Sequence, residues 1–230
     1  MKTKRKILLA VALTFALAVV LTSCGGGSKQ KKDSSNVTPT EHGSMSEGGE
    51  HESSSDIMHK QHSGLAENFA HKDIVILEEK YPVGKETQNE LEQVIDAYLR
   101  LKDALVSDDE EAVNIAVGLM AEKASAVVPE QLEGEGLEAW QNHKTLYDTK
   151  LKEMKHISGL ENKRSYFSHL SEIMYCTIKS FGLKQGNLFA AYCPMALDNK
   201  GAYWISDSKE IRNPYMGAKM PTCGEIKEEL

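Results

Sequence analysis

Residues 87–105 read TQNELEQVIDAYLRLKDAL, and this stretch decides the fold. Apolar side chains recur in it every three or four residues, at Leu91, Val94, Ile95, Tyr98, Leu101 and Leu105. Such spacing places them on one face of an amphipathic helix, and Thr87 and Glu90 have the spacing of a capping box at its N-terminus. The stretch therefore predicts a long helix that packs one face into a core.

The same spacing predicts three further helices. A capping box at Ser107 and Glu110 begins a helix that stops before Pro129, and a capping pattern at Ser158 and Glu161 begins one that stops before Gly182. The helix between these two is marked by apolar side chains at Leu137, Trp140, Tyr147, Leu151 and Met154. Four amphipathic helices with short connections predict a mainly α protein, built as an antiparallel four-helix bundle.

Beyond the fourth helix the apolar pattern changes from helical to extended. Residues 188–192 and 202–205 are typical of short strands, and the prolines that follow Asn213 and Met220 indicate loops. We therefore expect a small C-terminal β/loop lobe, centred on residues 190–224, that packs against the bundle.

The folded domain is expected to span residues 73–230, a length that suits one domain of ordinary size. Near its start, residues 74–77 form a short apolar run. We interpret this run as a strand or as a docked extended segment, which could pair with the C-terminal lobe.

The N-terminus has the layout of a bacterial secretion signal. Residues 2–6 hold four basic side chains, and an unbroken apolar run covers residues 7–21. This run is too short and wrongly flanked for a stable membrane span, and it ends in LTSC, which resembles a lipobox. We therefore expect residues 1–23 to be a removed signal peptide and Cys24 to carry a lipid that anchors the protein without spanning the membrane.

The charge of the mature chain excludes one class of partner. Removal of residues 1–23 takes away four basic side chains and no acidic one, so the net charge changes from −7 to −11. A surface this acidic argues against binding nucleic acid.

Residues 24–72 have the composition of a disordered tether, rich in Gly, Ser, Glu, Lys and His. Imidazole and thioether groups in it could bind a soft metal weakly, and the candidates are His42, Met45, Met58, His59 and His62. Their spacing is irregular, so the alternative, a polar linker whose histidines have no metal role, stays open.

Cysteine and methionine gather near the C-terminus. Cys193 is followed two residues later by Met195, and Cys223 is preceded by Met220, with Met216 close by. Thiolate and thioether ligands together select soft ions, above all Cu(I). In an oxidising compartment, however, Cys193 and Cys223 could instead form a disulfide, which would stabilise a loop of about 31 residues by roughly 3–4 kcal/mol. Both interpretations stay open.

The remaining candidates favour structural roles. Cys176 lies on a predicted helix and is expected to be a small buried side chain. His143, His156 and His169 fall on different helices without ligand spacing. The sequence contains no phosphate-binding loop, nucleophile elbow, HExxH or CxxC motif, so we expect that the protein is not an enzyme.

Several of these stretches resemble one bacterial family. They are YLRLKDALVSDD at 98–109, RSYFSHLS at 164–171, YCPMA at 192–196, Trp204 and NPYMG at 213–217 with Met220 and Cys223-Gly224. Together they resemble a domain of unknown function that occurs in envelope lipoproteins and is also fused to periplasmic adaptor subunits of CusB-like heavy-metal efflux pumps. The resemblance covers roughly residues 87–226 and implies a periplasm-facing role connected with copper or related metals.

We therefore expect an envelope lipoprotein of a Gram-negative bacterium, anchored in the outer rather than the inner membrane, that binds Cu(I) as a metal sink or feeds an efflux adaptor. The alternative is a protein-interaction module in which a Cys193–Cys223 disulfide is structural.

Overall fold

The computed structural model describes residues 65–70 and 72–230. The predicted signal peptide, Cys24 and the candidate tether ligands lie outside the described residues. No helix in the described part of the chain is long and apolar enough to cross a membrane.

The domain begins earlier than its predicted boundary at residue 73. Helix α1, Leu65–Ala70, lies inside the segment predicted to be a disordered tether, and its Leu65 and Phe69 side chains are buried. The Phe69 ring packs edge-on against Tyr175 and Tyr203, with centroid distances of 5.2 and 5.8 Å. Because the residues around these two apolar side chains are mostly polar, the composition of the segment did not predict a packed helix.

Four long helices confirm the predicted mainly α bundle. They are α2 (Lys85–Val106), α3 (Glu110–Ala126), α4 (Gly134–His156) and α5 (Leu160–Phe181). Each packs against the next one along the chain, and α5 also contacts α2, which closes the bundle. The apolar positions that predicted α2 are its buried face.

The helix ends differ in part from the predicted caps. Asp109 caps α3, because its carboxylate accepts a hydrogen bond from the Ala112 N–H at 2.9 Å. Helices α2 and α5 begin after Gly84 and Gly159, neither of which offers a side-chain cap. The capping boxes predicted at Thr87, Ser107 and Ser158 are therefore wrong, since Asp109 and not Ser107 caps α3. Helix α5 ends before Gly182, as predicted, and Gly182 adopts the left-handed conformation.

The apolar run at residues 74–77 is a docked extended segment and not a strand. The Val75 N–H donates to Asn142 Oδ1 at 3.0 Å, and the Val75 carbonyl lies 2.6 Å from His143 Nε2. The Leu77 N–H donates to Ser180 Oγ at 3.1 Å. Side chains of α4 and α5 therefore satisfy this backbone, so the expected pairing with the C-terminal lobe does not occur.

The C-terminal lobe is built on a three-stranded antiparallel sheet of β1 (Phe189–Cys193), β2 (Ala202–Ser206) and β3 (Glu225–Glu229), in the order β2-β1-β3. The first two strands were predicted. The third was missed because four of its five residues are charged, and it alternates between exposed and half-buried positions at the edge of the sheet.

Tyr98 on α2 joins the bundle to the lobe. Its ring stacks on Phe167 of α5 at 5.1 Å, and its buried hydroxyl contacts Ser171 Oγ at 2.7 Å. The same hydroxyl accepts a hydrogen bond from the Ile205 N–H of β2 at 3.0 Å. Burial raises the pKa of this phenol, so the hydroxyl stays protonated. The Tyr98 hydroxyl, which is buried and fully hydrogen-bonded, thus links the lobe to the bundle.

Candidate functional site

The fold brings Cys193 and Cys223 together. Cys193 is the last residue of β1 and is fully buried, while Cys223 is half-buried two residues before β3. Since Tyr192 pairs with Glu225, the position opposite Cys193 is Gly224, directly beside Cys223. The two Sγ atoms lie 2.8 Å apart and are not joined by a disulfide bond in this structure.

Gly224 makes this close approach possible. Its φ of +133° lies in a region that side-chain-bearing residues rarely adopt. A Cβ here would also stand 2.8 Å from both the Trp204 ring and the Tyr192 carbonyl oxygen. Only glycine therefore lets the chain pass close over β1 and β2 at this point.

Asn213 fixes the loop that carries Cys223. Its side-chain amide donates to the Cys223 carbonyl at 2.6 Å, and its Oδ1 accepts from the N–H groups of Tyr215 and Met216 at 2.8 and 3.1 Å. Its backbone N–H donates to the Pro221 carbonyl at 2.8 Å. This buried asparagine therefore determines where Cys223 stands.

Arg164 and Asp108 fasten the same loop to the bundle. Arg164 on α5 donates from Nε to the Pro214 carbonyl at 2.9 Å and forms a salt bridge with Asp108. The Asp108 carboxylate also accepts from the Ala218 N–H at 2.8 Å. This backbone donor and the guanidinium lower the pKa of Asp108, so the carboxylate remains charged at neutral pH.

The Cys193 side chain affects the protonation of Cys223. The neighbouring Cys193 thiol, together with burial, raises the pKa of Cys223 to about 11. The Met195 N–H points at the Cys223 sulfur and opposes this rise. At neutral pH Cys223 is therefore protonated, and a bound cation would have to displace that proton.

The structure leaves the candidate methionine ligands at the surface. Met195 and Met220 are 44% and 38% exposed, and Met216 packs partly against the core. Within residues 65–70 and 72–230 there is no group of three or more His, Cys, Asp or Glu side chains that could hold a metal ion. The donor set of two thiols with flanking thioethers fits a soft ion and does not fit a hard one.

The other candidates have structural surroundings. Cys176 is fully buried on α5, and burial raises its pKa to about 12, which makes it an unreactive thiol. His143 is buried between the Val75 carbonyl and Thr177 Oγ1. His156 lies on α4 together with His143, so the prediction that the three histidines fall on different helices is wrong for this pair. The His156 Nδ1 lies 2.7 Å from the Lys152 carbonyl, and the His169 Nδ1 on α5 lies 3.8 Å from Glu172.

The sequence analysis missed the residues that position Cys223. The Asn213-Pro214 pair indicates only a loop, and no sequence pattern gives Arg164 or Asp108 a role. One signal was available, because an arginine near the start of an amphipathic helix needs a partner when it is buried. That partner comes from the turn between α2 and α3, which sequence spacing does not connect to α5.

Comparisons with known proteins give one match. A family model described as "Protein of unknown function (DUF3347)" matches residues 94–186. The match runs from α2 to the turn after α5 and ends before the strand that carries Cys193. No curated protein and no solved structure matches the chain.

Proposed function

We propose that this protein binds a soft metal ion, Cu(I), through Cys193 and Cys223. The supporting observation is the pair of free thiols 2.8 Å apart on a strand end and a fixed loop. Thiolates are the preferred protein ligands of Cu(I), and thioethers add affinity. Met195 and Met220 lie in sequence beside these cysteines and are exposed, so their side chains have room to turn toward a bound ion.

Binding would require a small opening of the site. Two thiolates that share one metal ion at about 2.3 Å each stand about 3.8 Å apart in tetrahedral geometry. The Cys223 loop would therefore move outward by about 1 Å, whereas Cys193 is held in the sheet. Because both sulfurs must lose their protons, affinity should rise with pH.

In the cell we propose a lipid-anchored envelope protein, attached at Cys24, that serves as a copper sink or delivers copper to a heavy-metal efflux adaptor. The lipobox at residues 21–24 and the resemblance to efflux-associated lipoproteins support this location. The His/Met segment at residues 42–62 would be a weak accessory site.

The test is a Cu(I) titration under reducing, anaerobic conditions against a chromophoric chelator. It uses the chain from residue 24 onward with Cys24→Ser. We expect one tightly bound ion per chain, lost in Cys193→Ser and in Cys223→Ser. Met195→Leu and Met220→Leu keep the side-chain volume and should weaken binding about tenfold. Cys176→Ala is the matched control and should bind normally. Unchanged binding after loss of both Cys193 and Cys223 would contradict the proposal.

The second candidate is a structural disulfide between the same residues, and the short sulfur–sulfur distance favours it. In that case the protein isolated without reductant contains no reactive Cys193 or Cys223 thiol. Reduction would then lower stability by roughly 3–4 kcal/mol, as expected for a loop of this length. Thiol counting with a maleimide before and after reduction separates the two candidates.

A further inference from the structure

The outward side of α2 and α3 carries a long apolar groove. A hollow of about 410 Å³ has Ala104, Ala112 and Ala116 among its lining residues, and polar side chains stand along it; a second hollow of about 350 Å³ continues it along α2. Arg100 and Leu119 line both hollows, so they form one groove. The lining residues from 93 to 107, on α2 and at its C-cap Ser107, extend about 21 Å along the helix axis.

Helix α3 has a second apolar stripe that faces this groove. One face of the helix is buried in the bundle through Val113, Val117 and Met120. The other presents Ala112, Ile115 and Leu119, again at helical spacing, and all three line the groove. Ile115 is 68% exposed, the highest value of any large apolar side chain in the described part of the chain. A helix with two apolar stripes needs a second packing partner.

We propose that this groove binds a second copy of the same chain across a two-fold axis. Ile115 projects beside a hollow floored by alanines, so one surface offers both a knob and a hole. A two-fold axis would place each Ile115 in the hollow of the other copy, which buries both side chains. This dimer does not depend on the thiol pair, which lies in the separate C-terminal lobe.

The charges along the groove suit such a pairing. Arg100 stands in the middle of the groove and makes no ion pair with any described residue. Asp103 and Asp109 line the same surface, and Asp103 already pairs with Lys102 and Arg212 of its own chain. Asp109 accepts a hydrogen bond from the Ala112 N–H but has no cationic partner among the residues described here. Opposite charges on one surface are what a self-complementary interface requires, since each Arg100 can face a carboxylate of the other copy.

The size of the face sets the strength of this dimer. Two helices side by side are about 20 Å wide, so the face covers about 400 Å² per copy. About 800 Å² in total lies below the roughly 1,200–2,000 Å² of stable specific complexes, so the expected dimer is weak and reversible.

Sedimentation velocity over a concentration series tests this proposal, using the chain from residue 24 onward with Cys24→Ser in reducing buffer. We expect the mass to rise from one chain to two with concentration. Ile115→Glu should weaken the dimer about a hundredfold, since one buried isoleucine is lost from each copy. Ala112→Trp, which fills the hollow without adding charge, should weaken it as well.

Val128→Glu is the matched control, because Val128 is also exposed, at 45%, but lies outside the groove. It should associate like the unmodified chain, and circular dichroism should show that all variants are folded. A single-chain mass throughout the series would overturn the proposal. So would a dimer that Ile115→Glu and Ala112→Trp leave intact.

Discussion

The helical bundle and the C-terminal lobe are held together in different ways. The bundle buries many apolar side chains, among them Leu91, Leu101, Met120 and Trp140, so no single contact determines its shape. The lobe has a short sheet with a charged edge strand, and the position of its Cys223 loop depends on individual polar atoms of Asn213, Arg164 and Asp108. Substitutions in the bundle should therefore change global stability, whereas substitutions in the lobe should change the geometry of the thiol pair.

The largest effect is expected where the two regions share one side chain. Phe167 is fully buried and contacts both Tyr98 of the bundle and Tyr215 of the lobe, at 5.1 and 5.7 Å between ring centroids. Phe167→Ala should lower the free energy of unfolding by about 3–5 kcal/mol. Urea denaturation followed by circular dichroism and by tryptophan fluorescence measures this loss. If only the fluorescence transition moved, the lobe would not share its core with the bundle.

The next effect concerns His143 in the bundle. Burial lowers the pKa of His143 to about 4, whereas an unfolded histidine titrates near pH 6.5. Between these values the unfolded state binds more protons, so stability should be complete above about pH 6.5 and should fall by about 3 kcal/mol as the pH approaches 4.

Urea denaturation between about pH 4.5 and 7.5 measures this slope, and His143→Gln is the control. Glutamine can still donate a hydrogen bond to the Val75 carbonyl but does not titrate. An equal slope in His143→Gln would show that other groups cause the pH dependence.

A smaller but more local effect is expected at Asn213. Asn213→Ala removes the donor to the Cys223 carbonyl and the acceptor for two backbone N–H groups. We expect a loss of about 2 kcal/mol and faster reaction of Cys223 with a maleimide. Asn213→Asp keeps the acceptor and loses only the donor, so its effect should be intermediate. A normal rate of Cys223 modification in Asn213→Ala would show that the loop is positioned by other contacts.

The difference between the bundle and the lobe also explains how much of the fold could be predicted from the sequence. Helical periodicity alone identified all four long helices, because the apolar face of each is repeated over several turns. Strand β3 and helix α1 were missed, since the first is mostly charged and the second has only two buried anchors, Leu65 and Phe69. Both elements are stabilised by packing against residues distant in the sequence, and such packing cannot be predicted from local composition.

For the candidate site, the sequence predicted the types of residue but not how they are arranged. Cys193 and Cys223 were predicted as candidates from their residue type and their neighbours in the sequence. The antiparallel pairing of β1 with β3 brings them together. The contacts of Arg164 and Asp108 with the loop and with each other join residues that are 50 or more positions apart, such as Arg164 and Pro214. No local spacing rule relates such residues.

The smallest effect is expected at Tyr98, where the lobe meets the bundle. Tyr98→Phe removes one buried hydroxyl and leaves the ring stacked on Phe167. The Ile205 N–H and Ser171 then lose a partner, so stability should fall by about 1–2 kcal/mol. Because Ile205 belongs to β2, amide hydrogen exchange should accelerate at this residue more than in α3. Equal acceleration at Ile205 and in α3 would instead mean that the lobe and the bundle open together. The two regions would then differ in the contacts that hold them together but not in how they unfold locally.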